Sequence, residues 1–447
     1  MKKRLIPPPR SGRELGERSF FTMKILHVNT SDTIGGAAIA ALRLVQAERA
    51  LGHDAQLLCR DHTLPDDTEG VLPLRTTLWQ RSLKAVERAL IIVQNGLSMH
   101  NLWRIDTAQM GIDITRLKAF KEADVIHLHW VNQGMLSLRD IERILRSGKR
   151  VVWTLHDMWP FTGVCHHAAT CNRWKSSEGC GKCPLLKHPM TNDMSARTYR
   201  RKQKAYHAGH FTAVGCSCWL AGLAAESPLF EGQRVGSIAN VVDTDFYQPT
   251  FAEGQPSQAE VRQALDISAE EHVLLFIARD VADPNKGINF LIESLQTVAT
   301  QQPDLAEHLT VLLVGLNSER YAAALPTPIK GRAIRYCSEE ATLRQLYQAA
   351  DLLVMPTLMD NLPNTIAEAS ACGLPTVAFG VGGVPQMVET GVNGYLAQPE
   401  QATDFAQGII RCLCSDSLQA MARNARTKAV KNYSPRNVAE AYIGLTP

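Results

Sequence analysis

Pro356-Thr-Leu-Met-Asp-Asn-Leu-Pro-Asn-Thr-Ile-Ala-Glu-Ala-Ser-Ala-Cys-Gly-Leu-Pro-Thr-Val-Ala-Phe379 is the stretch that decides the fold. An apolar run, Asp351–Met355, leads into it as a buried strand, and a polar loop, a short helix, a stop at Gly373 and a second strand follow. Strand, loop, helix and strand in that order are the unit of an open parallel sheet. Asp360 falls in the loop and Glu368 on the helix, eight positions apart. Loops after the carboxyl ends of such strands line the ligand crevice, so both acids can reach one ligand. Asn361, Leu362, Asn364 and Thr365 open the helix between them, where backbone N–H groups favour phosphate. The same letters allow a second reading. Thr365-Ile-Ala-Glu368 spells a capping box, in which Glu368 would bond the backbone at the cap.

Outward from this segment the strand–helix alternation continues in both directions. Apolar runs recur at Ile25–Val28, Ala55–Cys59, Val125–Leu128, Val151–Leu155 and Phe211–Val214, with helical patterns such as Gly36–Leu51 and Leu138–Leu145 between them. After a Pro- and Gln-rich break at Gln248–Gln258 the pattern restarts at Val273–Ala278, Thr310–Val314, Asp351–Met355 and Thr376–Phe379. The expected fold is α/β, with two Rossmann-like, doubly wound parallel-sheet domains. No short repeat of the solenoid kind is present.

The 447 residues suffice for two or three cores, and 45% hydrophobic with 20% charged residues is ordinary for a globular chain. A net charge of +3 without a basic–aromatic stripe argues against nucleic acid. Residues 1–22 are basic, carry Pro7-Pro-Pro9 and lack the apolar core of a signal peptide, so they read as a disordered extension. Met23, directly before the first strand, is an alternative start. No apolar run approaches the ~20 residues of a membrane span, and the expected location is cytoplasmic.

The segment around Glu368 resembles the donor-site signature of retaining GT-B glycosyltransferases, specifically family 4: an acid, seven residues, a Glu, then Ala-x-Ala-Cys-Gly-x-Pro. Asp360 stands where the family usually has Glu, whereas Glu368 and Ala369-Ser-Ala-Cys-Gly373 match. The resemblance implies two domains facing across a cleft: an acceptor-side domain over 23–240, a nucleotide-sugar donor domain over 250–430, and a terminal helix (431–447) crossing back to the first. It implies that Glu368 binds the donor ribose and Asp360 the sugar hydroxyls. Arg279 and Lys286-Gly287 resemble the family's Gly-Arg…Lys-Gly element, with Ala278 in place of Gly, and would neutralise the diphosphate without a catalytic metal. Asp32-Thr-Ile-Gly35-Gly36 matches the family's glycine loop after the first strand. His156 would orient the donor or stabilise charge at the reacting centre. Asp157 would hold an imidazole or contact the acceptor, unless the two are merely a hydrogen-bonded couple. His127 and His129 are read equally as core and as cleft residues. Base recognition is expected from Arg335–Ser338 and the helix through Leu343 and Tyr347, and Asp243-Thr-Asp245 is read as a hinge rather than a metal site. No nicotinamide-type Gly-x-Gly-x-x-Gly or P-loop fingerprint occurs.

Cys165, Cys171, Cys180 and Cys183 crowd the loop 163–184 and end in Cys-x-x-Cys. A structural zinc, paired cysteines and free thiols are the three readings, with His166 and His167 as alternative ligands. The loop, together with Trp153–Gly163, resembles the exopolysaccharide and colanic-acid branch of family 4. That implies a lipid-linked (polyprenyl) or oligosaccharide acceptor in assembly of a surface polysaccharide. Residues Trp79–Leu97 form an amphipathic pattern, with Trp79, Leu83, Val86, Leu90 and Val93 on one side. It reads as a helix packed on its own domain, or as one docked at the inner face of the membrane. The basic run Arg197–Lys204 reads as a solvated helix face, or as a reinforcement of that membrane docking. A phosphorylase, a nucleotide-sugar hydrolase and a non-catalytic zinc-stapled scaffold are the alternatives.

Overall fold

The structure, a computed structural model, describes residues 22–335, 337 and 339–445. The N-terminal extension, save Thr22, and Tyr336 and Ser338 of the expected base-recognition segment lie outside the described residues. The chain divides into two compact units, one running to Val241 and resuming at Val438, the other Val242–Asn437.

In the first unit seven strands form one sheet: β1 (Lys24–Ser31), β2 (Asp54–Asp61), β3 (Val71–Pro73), β4 (Val125–Leu128), β5 (Arg150–Leu155), β6 (Thr212–Gly215) and β7 (Arg234–Ser237). Their order is β3-β2-β1-β4-β5-β6-β7, with every pairing parallel. Because side chains alternate along a strand, each face has its own core. Leu26, Val28, Ile126, Leu128, Trp153 and Leu155 fill one face. On the other, Ile25, Val125 and Val152 pack with Ala41, Leu44 and Val45 of helix α1 (Gly36–Ala50) and with Val438, Ala439 and Tyr442 of the terminal helix Pro435–Ile443.

The second unit repeats the plan with β8 (His272–Asp280), β9 (Leu309–Leu316), β10 (Lys330–Ile334), β11 (Leu352–Met355), β12 (Thr376–Phe379) and β13 (Gly394–Ala397). The order is β10-β9-β8-β11-β12-β13, again all parallel. Sheets buried on both faces read as continuous apolar runs, which is why β8, β9, β11 and β12 are legible in the sequence.

Two expectations need correction. Helix α2 (Leu78–Gln94) does not bury the apolar face expected of it: its buried residues are Leu83, Glu87, Arg88 and Ile91, while Trp79 and Val93 are exposed. The cause is polar capture by the segment 102–110. Glu87 accepts from Thr107 Oγ1, Gln109 N and Met110 N, and Arg88 donates to Leu102 O, Ile105 O and the Asp106 carboxylate. Nor is the basic run wholly solvated. Lys202, on the helix Met194–Tyr206, is fully buried, donating to Thr162 O (3.1 Å) and Trp159 O with its ammonium over the Trp159 ring. Burial lowers its amine to about 7.

Candidate active site

An open parallel sheet gathers ligands where its strand order reverses, outside the carboxyl ends of the strands. In the second unit that point lies between β8 and β11. The turn after β8 carries Lys286 and the loop after β11 carries Asp360. Two glycines fix the meeting. A Cβ on Gly287 (φ 72°) would lie 1.9 Å from Pro356 O, and one on Gly382 (φ 55°) would lie 1.9 Å from Asp360 O. Only glycine permits these approaches of backbone to backbone. Leu358 N and Thr357 Oγ1 complete the contact by donating to Asn285 O (2.8 and 3.0 Å). Lys286 Nζ consequently sits 3.1 Å from Asp360 Oδ2, joining two residues 74 positions apart.

The helix Asn364–Ala371 follows directly, with Asn361 and Leu362 buried before it and Asn364 and Thr365 partly exposed in its first turn. The capping-box reading fails: the N-cap is Pro363, with no side-chain cap hydrogen bond. Glu368 lies on the buried side of this helix, 8% exposed, and accepts from Tyr347 Oη at 3.0 Å. Tyr347 is therefore interior, and its helix can act on a base only through Glu368 or through its more exposed residues. Arg279, near the end of β8, is exposed, and Arg335 pairs with Glu319 at 3.4 Å. Asp243 Oδ1 accepts from Asp245 N and Phe246 N, a turn-forming role.

The first unit has its reversal between β1 and β4. Gly35 (φ 93°) is the N-cap of α1 and Gly36 its first residue, with no side-chain cap bond over the first turn. Asp32 behind them is fully buried, accepting from Thr63 N and Oγ1, Leu64 N and His62 Nδ1. Burial pushes its carboxyl up, but these bonds outweigh it and hold the pKa low. His156 follows β5, with its Nε2 3.1 Å from His129 Nδ1, and helps line a small cavity with Ala40, Leu44, Thr154 and Asn240. Asp157 Oδ2 accepts from His166 Nδ1 (2.7 Å) and Trp130 Nε1 (2.9 Å), and its Oδ1 from Trp159 N. Burial opposes ionisation of Asp157, yet His166 and these donors lower it to about 2. His127 and His129 are both buried.

The four loop cysteines form no disulfide; Cys165 and Cys183 are buried, Cys171 and Cys180 half-buried. Burial raises the thiols of Cys180 and Cys183 to about 12. Among the described residues, the groups whose ligand atoms lie within 4.8 Å of one another are His27–His127–His129 and Asp32–Cys59–His62; the loop cysteines are not among them.

Residues 34–227 match the family described as Glycosyltransferase Family 4, and residues 271–415 match Glycosyl transferases group 1. Both matches are to glycosyltransferase domains, one in each unit. The first match takes in Gly35, Gly36, His156, Asp157 and the cysteines; the second takes in Arg279, Lys286, Asp360 and Glu368. The chain is 30% identical over 179 residues to a D-inositol 3-phosphate glycosyltransferase of Actinosynnema mirum, covering 38% of this chain and 42% of that one. The chain thus spans less than half the length of that relative. Among solved structures it resembles Anabaena HepE in complex with UDP and glucose (TM-score 0.58, 19% identity, 95% of this chain and 99% of that one). It also resembles WaaG, a glycosyltransferase involved in lipopolysaccharide biosynthesis (TM-score 0.57, 16% identity, 94% and 99%). The two parallel-sheet, Rossmann-like units are those of the GT-B fold class. The buried His27–Glu48 pair (2.7 Å) and the Tyr347–Glu368 bond escaped the sequence reading. The signal for Glu48 was present, as a carboxylate on the Ala41-Leu44-Val45 face of α1.

Proposed function

We propose that the protein is a retaining, metal-independent glycosyltransferase. It moves a sugar from a nucleotide-sugar donor to a lipid-linked or oligosaccharide acceptor in surface-polysaccharide assembly. The observation that carries this is the Lys286–Asp360 pair at the reversal of the second sheet, beside a Glu368 oriented by Tyr347. Lys286 and Arg279 would take the diphosphate, Glu368 the ribose and Asp360 the sugar hydroxyls. The start of the helix Asn364–Ala371 would supply backbone N–H groups to phosphate. Gly35 and Gly36 would do the same at α1, and His156 would face the reacting centre. UDP in the HepE structure and lipopolysaccharide in the name of WaaG support the donor class and the pathway. D-inositol 3-phosphate, named for the curated relative, is the competing acceptor. No helix of the described residues is long and apolar enough to cross a membrane. Leu78, Trp79, Val93, Leu97, Met99 and Trp103 are nevertheless exposed along and beyond α2, a surface suited to the interface where lipid-linked acceptors reside.

The test is a transfer assay with labelled nucleotide sugars and acceptors supplied free or in anionic vesicles. Label should reach an organic acceptor, and Lys286→Ala should cut the rate by at least about 100-fold, as loss of a charge-stabilising donor does. Release only to phosphate or water would instead identify a phosphorylase or hydrolase. Unchanged polymer production in cells carrying Lys286→Ala would identify a scaffold.

A further inference from the structure

Side chains alternate along a strand, so register assigns the first residues of β5, β6 and β7 to a face. Val152 pairs with Thr212, and Thr212 with Arg234. Arg150 precedes Val152 by two positions and shares its side. This is the face packed by α1 and the terminal helix, on which Val152 and Val214 are buried. That helix ends at Ile443, and Leu445 just beyond it closes one side of a cleft of about 420 Å³. Arg150, Val152, His210, Thr212 and Arg234 line the cleft with it. The volume is within the range of small-ligand pockets. The cleft lies at the amino ends of the strands, whereas Gly35, His156 and Asp157 follow their carboxyl ends.

The lining has one sign. Among the described residues no acid lines the cleft, while Arg150 and Arg234 bring two guanidiniums, which stay charged at any working pH. Lys149 beside them is turned away, its Nζ donating to Lys121 O and Ala123 O (2.9 and 2.6 Å). Arg234 is exposed and has no ion-pair partner among the described residues. Thr212 is the informative residue. It is only 6% exposed, yet its hydroxyl has no hydrogen-bond partner among the described residues. A buried hydroxyl without an acceptor is costly, and an occupant of the cleft can supply one. A plainer use of the arginines is to offset the partial negative charge at the end of the terminal helix. That use needs neither the cleft nor the hydroxyl of Thr212.

We propose that this cleft binds a phosphate-bearing anion, seated over Thr212 between the arginines of β5 and β7. The two strands are separated by β6, which sets them about 10 Å apart, so the anion must accept from several directions at once. A carboxylate offers two oxygens in one plane. A phosphate offers three or four in a tetrahedron and pairs with a guanidinium fork. Arg234 then supplies the fork and Thr212 donates its hydroxyl. Arg150 adds charge to the same face, and the ring of His210 can bond a further oxygen or a hydroxyl of the ligand. Val152 and Leu445 provide an apolar wall, against which the attraction of the arginines is screened less than in water. The phosphate can belong to a soluble compound or to a lipid headgroup. Either occupant would act as an effector or an anchor, at a distance from the loops that carry the candidate active site.

Amide hydrogen exchange of the full-length protein, with and without sodium pyrophosphate, tests the site on peptides over 148–152, 210–213 and 232–236. Exchange through local opening should slow there by about tenfold at a tenfold excess over Kd. The slowing should be the same in Lys286→Ala, which separates it from pyrophosphate bound at the donor site of the second unit. Thr212→Val, which keeps the shape of the side chain, should weaken binding by roughly tenfold or more. Arg234→Ala should abolish the protection. Vesicles of phosphatidic acid in phosphatidylcholine identify the source, since protection by these as well as by pyrophosphate assigns a lipid headgroup, and protection by pyrophosphate alone a soluble compound. No slowing in these segments, or slowing that persists in both Thr212→Val and Arg234→Ala, would overturn the site. A less stable Arg234→Ala, together with a wild type indifferent to pyrophosphate here, would reduce the arginines to caps of the terminal helix.

Discussion

A partly exposed ion pair such as Lys286–Asp360, with about a third of one side chain and a fifth of the other in contact with solvent, adds only about 0–1 kcal/mol to folding. Yet two glycine contacts that tolerate no side chain hold it in place. That expense of backbone precision for little stability suits a cation poised to exchange its carboxylate for phosphate. The buried histidines have the opposite character, since their protonation bears on stability. Burial holds His127, His129 and His156 below the ordinary value, near 6.5 for an unfolded chain. Below that pH the unfolded chain binds more protons than the folded one, so stability is full above about 6.5 and is lost as pH falls toward about 4. Each ring contributes up to ~1.4 kcal/mol per pH unit across its window. Thermal midpoints at pH 7.5, 6 and 5 should fall steeply over the last interval, and less steeply in His129→Gln. A flat profile would mean that the rings are not buried neutral.

Elements were legible in the sequence in proportion to their burial. The nine strands recognised there are the inner strands of both sheets. The four that were not, β3, β7, β10 and β13, are the four edges. An edge strand has one neighbour, so Lys330-Gly-Arg-Ala-Ile334 and Arg234-Val-Gly-Ser237 need no continuous apolar run. Helix α2 was legible as a helix but not in its orientation, because periodicity cannot show that Glu87 and Arg88 will be captured by distant backbone. The cysteine loop was legible as a cluster only. As a zinc site it offers four thiols, no three of whose sulfurs lie within 4.8 Å of one another, so an ion would have to draw them together; Cys165 and Cys180 act on the buried Lys202, whose charge would offset that of bound thiolates. We expect about one zinc per chain in the purified protein, and a lower thermal midpoint after chelation or in Cys180→Ser. A metal-free preparation with an unchanged midpoint under chelator would leave the cysteines as buried thiols.

At the scale of the whole molecule, one plan is used twice: a parallel sheet with its order reversed at one point and its chemistry in the loops beyond that point. The segment 356–379 was legible because its loop, helix and strand are contiguous. The Lys286–Asp360 contact and the cleft at the starts of β5, β6 and β7 were not, because each is assembled from elements far apart in the chain. The central claim is that the second unit binds a nucleotide sugar. Its most direct test is the thermal shift of the full chain with UDP-, GDP-, ADP- and CMP-linked sugars, beside Lys286→Ala and Glu368→Ala. The account predicts that one nucleotide stabilises the wild type, by about 2.7 kcal/mol at a hundredfold excess over Kd, and that both variants lose the effect. No stabilisation by any donor, or an equal shift in both variants, would contradict it.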